Sequence, residues 1–145
     1  MTHLNRVGRC VFFGLTLSLV LGATVRADVV VVISSKNPIV TLSKSQVADI
    51  FLGKTVRFPD GTLAMPVDQQ EGSPVRDEFY ATFTGKSPAQ LKSHWTKIIF
   101  TGRGKPPMAV ASGADVKQLI AANPQAISYI ERSAVDSTVK VLIQP

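Results

Sequence analysis

The chain has 145 residues, a formal net charge of +6 and a single cysteine, and 45% of its residues are hydrophobic. That length suits one domain with an adequate core, and one thiol excludes an intramolecular disulfide framework and a thiolate metal cluster. The mild basic excess suits small anions or an acidic surface; without a basic run interleaved with aromatics, it does not argue for nucleic acid.

Residues 1–27 read as a signal peptide. Arg6 and Arg9 form a basic start, Val11 to Ala23 an apolar run, and Val25-Arg26-Ala27 a cleavage site. The run is short for a membrane span, and no second apolar run follows. Cys10 lies inside the leader, so the mature chain, 28–145, has no cysteine. Losing Arg6, Arg9 and Arg26 takes the formal charge from +6 to +3. The expectation is a periplasmic or secreted protein, not integral to a membrane once cleaved.

Val29 to Ile33 is a continuous β-branched run, which predicts a strand buried on both faces, as in a parallel sheet. The polar loop Ser34-Ser35-Lys36-Asn37-Pro38 then falls at a strand's C-terminal end, where ligands sit in open α/β sheets. Ser34 and Ser35 are therefore candidate anion contacts. Leu42-Ser43-Lys44-Ser45-Gln46-Val47 predicts a helix over 43–52, with Ser43 and Gln46 as a capping box and Gly53 closing it. Thr55 to Phe58 is extended, Pro59-Asp60-Gly61 is a turn, and Leu63 to Val67 is a second strand.

That strand leads into Asp68-Gln69-Gln70-Glu71-Gly72-Ser73-Pro74-Val75-Arg76. Ser73 is a good N-cap and Pro74 sits at N1, so a helix over 73–84 is predicted, with Val75, Phe79 and Phe83 as its apolar stripe. A helix start presents free amides and the positive end of the helix dipole to one spot. Gly72, Ser73 and Arg76 are the candidate anion donors, with Gln69, Ser34 and Ser35 on the rim. Arg76 lies in the first turn, where the dipole disfavours a cation, and the sequence alone offers no structural reason for it.

Ser87-Pro88-Ala89-Gln90 predicts a third helix, over 87–100, with Leu91, Trp95, Ile98 and Ile99 on one stripe. His94 has no second His, Cys or Asp at ligand spacing, so it reads as an interface or surface histidine. No nucleophile–base–orienter set is visible, and neither metal nor cofactor is implied. Thr101 to Pro107 is a basic, glycine-rich loop, read as bordering the cleft. A helix over 114–123 and strands at Ala126 to Ile130 and Val139 to Ile143 complete an α/β chain with a short, parallel or mixed sheet.

Three segments, in order, resemble the substrate-binding protein of the phosphate ABC transporter, a type 2 periplasmic binding protein. Ala48-Asp49-Ile50-Phe51-Leu52-Gly53-Lys54 is similar to that family's helix ending in Ile-Phe-Leu-Gly-Lys. Gln69-Gln70-Glu71-Gly72-Ser73-Pro74-Val75 falls on its Arg-x-Asp-Gly-Ser-Gly-Thr phosphate turn. Asn123-Pro124-Gln125-Ala126-Ile127-Ser128-Tyr129-Ile130-Glu131 is similar to its Pro-Gly-x-Ile-Gly-Tyr-Val-Glu segment. The resemblance implies a single three-layer lobe, a non-enzymatic role in binding phosphate or a similar oxyanion, and a link to an ABC permease. The alternative is an interaction or sensory module docking on a protein partner. Only Gly72 and Ser73 of the turn are kept; Gln69 stands where the family has arginine, and Pro74 lacks an amide donor.

Overall fold

The computed structural model describes residues 26–143, so most of the leader, Cys10 included, lies outside the described residues. In chain order the elements are β1 (Val29–Ser34), α1 (Lys44–Phe51), β2 (Met65–Gln69), α2 (Pro74–Thr84), α3 (Pro88–Phe100), β3 (Met108–Val110), α4 (Gly113–Ala122), β4 (Ala126–Glu131), a short 3-10 turn (Arg132–Ala134) and β5 (Val139–Ile143). The five strands form one mixed sheet in the order β3-β2-β4-β1-β5.

The helices start where their caps say they should. Ser43 and Ser87 each close a reciprocal capping box, with Gln46 and Gln90 respectively, and Ser73 accepts from the Arg76 amide. Gly53 takes a positive φ of 73° after α1, and a Cβ there would stand 2.9 Å from Trp95 Cη2, so both backbone conformation and close approach require glycine. His94 donates from Nε2 to the Leu52 carbonyl at 2.9 Å, tying α3 to the end of α1. Its role is structural.

The sheet is covered on both faces, which makes the lobe three-layered. Val29, Val31, Ile33, Ile127 and Tyr129 pack against α1, α2 and α3, while Val30, Val32, Val67 and Ile130 pack against Val116 and Ile120 of α4. This two-sided burial explains the unbroken apolar run of β1. The expected strand direction is corrected: β1 is antiparallel to both of its neighbours, β4 and β5, and only β2 pairs in parallel, with β3 and β4. The second strand also starts later than the sequence suggests. Leu63 bridges Arg57 in a small hairpin, and β2 proper begins at Met65. Among the described residues no helix is long and apolar enough to cross a membrane.

Candidate anion-binding site

The antiparallel register of β1 decides which sequence candidates can meet. Met65 of β2 pairs with Ala126 of β4, and Ile33 of β1 pairs with Ile127. The C-terminal end of β1 therefore lies beside the N-terminal ends of β2 and β4. Ser34 and Ser35 are thus at the opposite end of the sheet from Gln69, Gly72 and Ser73, and they do not line the same site. Ser34 is buried, and its hydroxyl accepts from the Lys36 amide at 3.2 Å, which serves the local turn.

The other four candidates do converge. Gln69 ends β2, Gly72 turns the chain with φ 89°, and Ser73 caps α2. Gln69 is held from both sides: Nε2 donates to the Tyr129 carbonyl and Oε1 accepts from the Ser73 hydroxyl, each at 3.2 Å. The Ser73 amide donates to the Gln70 carbonyl at 3.1 Å. Among the described residues, the amides of Gly72 and Val75 are left without a hydrogen bond. The Glu71 amide is free as well, so the free donors of the turn are Glu71, Gly72 and Val75, and Ser73 is not among them.

Sequence reasoning missed the group beneath the turn. Asp68 is buried, and its carboxylate takes four donors. Oδ1 accepts from the Tyr129 hydroxyl and from the Gln69 amide at 2.8 Å; Oδ2 accepts from the Tyr80 hydroxyl at 2.8 Å and from Arg76 Nε at 3.2 Å. That fills the acceptor capacity of a carboxylate. Arg76 thus has a structural reason to stand in the first turn, contrary to the sequence expectation: it neutralises a buried acid. Burial opposes the guanidinium charge, but Asp68 outweighs it and raises the Arg76 pKa. The guanidinium also lies over the Tyr80 ring at 5.2 Å. Only Nε is hydrogen-bonded among the described residues, so the two terminal nitrogens remain unpaired. Only part of this network is local: Arg76 and Tyr80 stand four residues apart on one face of α2. Its third member, Tyr129, comes from 61 residues away.

Burial, and then the negative charge of Asp68, push both phenols far above their ordinary value of 10.0. Tyr80 and Tyr129 are the chain's two tyrosines. The folded state favours the neutral phenol, so its stabilisation is complete below pH 10 and declines above it as the unfolded chain ionises. The slope is about 1.4 kcal/mol per pH unit for each tyrosine. In an alkaline titration, tyrosinate absorbance should stay flat through about pH 11 and then rise together with loss of the far-ultraviolet dichroism. A reversible rise centred near pH 10 with the fold intact would refute the buried network.

A second helix start lies beside Gln69 and Val75. A hollow of about 290 Å³ is lined by Gln69 and Val75 from the turn, by Gly113, Ala114 and Lys117 from the first turns of α4, and by Glu131 of β4. Ser112 caps α4, accepting from the Asp115 amide at 3.3 Å. Its helix start was legible in the sequence; its place beside Gln69 was not, because parallel β2–β3 pairing, with Gln69 opposite Val110, brings the two together. Lys117 shares its charge with Asp136 at 2.8 Å. Glu71 is exposed at the rim, 3.8 Å from Lys92. Among the described residues no cluster of His, Cys, Asp or Glu could hold a metal ion.

No protein-family model matches the chain, and no curated protein does. Solved structures do. The fold is similar to that of a candidate phosphate ABC transporter substrate-binding protein with bound phosphate from Clostridium perfringens, at 22% identity and a TM-score of 0.65, covering 80% of this chain and 44% of that one. It is similar to an ABC-type phosphate transport receptor from Vibrio cholerae, at 21% identity and a TM-score of 0.63, covering 80% and 45%. PstS from Borrelia burgdorferi aligns at 12% identity with a TM-score of 0.54, over 80% and 46%. The chain thus spans less than half the length of the structures it matches, and it has the fold of one lobe of the phosphate ABC transporter substrate-binding proteins.

Proposed function

We propose that the protein binds phosphate or a similar oxyanion at the start of α2. One observation carries this reading: Asp68 fixes Arg76 through Nε alone, which leaves its terminal nitrogens unpaired in the first turn of the helix whose start carries the free amides of Glu71, Gly72 and Val75. A guanidinium held in this way is pre-organised, so less side-chain entropy is lost when it grips an anion. Gln69 and Ser73 orient one another, and the Ser73 hydroxyl can turn from Gln69 to a ligand. The lobe's likeness to phosphate-binding structures supports the same class of ligand. Glu71 at the rim disfavours a fully ionised anion and can accept from a protonated one, which favours hydrogen phosphate over sulfate. One lobe leaves part of the anion in water, so affinity is weak unless a partner covers it.

In this reading the protein is an exported binding module, not an enzyme, and serves an ABC-type uptake system. The exposed Ile99 and Phe100 at the end of α3 support the second reading, a sensory or interaction module that docks on a protein partner. Calorimetric titration of phosphate, arsenate and sulfate at fixed salt separates the two. Arg76→Lys keeps the charge but loses the fork, and should weaken phosphate binding by about 1.5–3 kcal/mol. Lys86→Ala, at the far end of α2, should bind as wild type; Lys92 is unsuitable as a control because of its contact with Glu71. An absence of heat from every oxyanion at millimolar concentration would replace the binding reading with the docking one.

A further inference from the structure

We propose a second ligand site, for a small organic anion with an apolar body, in a cavity at the other end of the sheet. The cavity has a volume of about 510 Å³ and is walled by Ile50, Val56, Met65, Trp95, Ile98 and Met108. That size falls within the range of small-molecule sites, and the lining is mostly apolar, as such sites are. Met65 and Met108 begin β2 and β3, so the cavity lies away from Gln69 and the α2 start at the other end of β2. It does not depend on the oxyanion reading.

Charge selects the occupant. The only charged side chains lining the cavity are Arg103 and Lys105, both on the exposed loop between α3 and β3, and no acidic residue lines it. Neither cation has an ion-pair or hydrogen-bond partner in its side chain among the described residues, whereas Lys54 nearby is paired with Asp49 at 3.2 Å. Two unpaired cations over an apolar floor match an amphipathic carboxylate or sulfonate: the body displaces water from the floor and the head group meets the loop. The sequence reading placed this basic loop beside the anion cleft; the structure sets it over the apolar cavity instead.

Trp95 is the chain's one tryptophan and part of the wall, so it reports occupancy directly. The probe is 8-anilinonaphthalene-1-sulfonate, titrated into the full folded chain and read by energy transfer from Trp95. One saturable site is expected. Decanoate should displace the probe, 1-decanol should do so more weakly, and inorganic phosphate should not displace it. The double variant Arg103→Glu/Lys105→Glu, confined to an exposed loop, should lose affinity for decanoate by on the order of tenfold while its affinity for 1-decanol is unchanged. Non-saturable probe binding, equal competition by decanoate and 1-decanol, displacement by phosphate, or unchanged decanoate affinity in the double variant would each overturn the proposal. Phosphate calorimetry on the same double variant should match wild type, which keeps failure at this site distinct from failure at the α2 start.

Discussion

Asp68→Ala is expected to destabilise the protein by about 3–5 kcal/mol, the range for removing one partner of a buried ion pair. The substitution leaves the Tyr80 and Tyr129 hydroxyls and Arg76 Nε without their acceptor in the core. A domain of this size is stable by about 5–15 kcal/mol, so the loss is a large share of the total. Urea unfolding at neutral pH measures it. Asp68→Asn should lose less, since an amide oxygen still accepts from one side of the network. Arg76→Ala should also destabilise, because it strips a buried carboxylate of its cation. The double variant should be less unstable than the sum of the singles, since the two residues share one interaction. An Asp68→Ala midpoint close to that of wild type would show that the carboxylate is not the hub described above.

Phe79→Ala should cost about 3–5 kcal/mol through the cavity it leaves. The Phe79 ring is fully buried and stacks on Tyr129 with centroids 4.0 Å apart and planes 6° apart, on Phe83 at 5.1 Å, and edge-on to Phe51 at 4.7 Å. The expected fall in Tm is on the order of 10–20 °C by differential scanning calorimetry. The site should feel the change as well. Tyr129 is wedged between Phe79 and Asp68, so losing the ring loosens the phenol that holds the carboxylate in place. Oxyanion affinity should drop even at temperatures where the variant is folded. Phe79→Leu, closer in volume, should lose less of both. A Phe79→Ala protein that melts within a few degrees of wild type would mean that the core collapses into the space.

The helices were legible because their punctuation is local. Ser43, Ser73, Ser87 and Ser112 each satisfy an amide three residues on, and that geometry needs no information from elsewhere in the chain. Strand direction was not legible. A run such as Val29 to Ile33 reports burial on both faces, which α1–α3 and α4 supply whichever way the neighbouring strands point. The error then carried Ser34 and Ser35 into the wrong end of the molecule. The Gly72-Ser73 helix start was readable for the same local reason as the caps. Asp68 was not, because an acid at a strand end looks solvated until Tyr129 arrives from a distant strand. β3 is three residues long, too short for any period to show.

Among the described residues, the two strands that flank β1 are the last two in chain order. β1 pairs with β4 and β5, and an ion pair between Asp28 and Arg132 at 2.5 Å joins residues 104 apart in sequence. On the ribosome Val29 to Ile33 emerges well before β4 and β5, and until they follow this run of high β-propensity lacks both of its sheet neighbours. Closing loops of that length costs entropy before the β1 pairing repays it, which slows folding. During that interval the run is the part of the nascent chain most prone to wrong pairing, and a holding chaperone would find its target there. Completion of the β1 pairing in this lobe is therefore decided by when β4 and β5 become available.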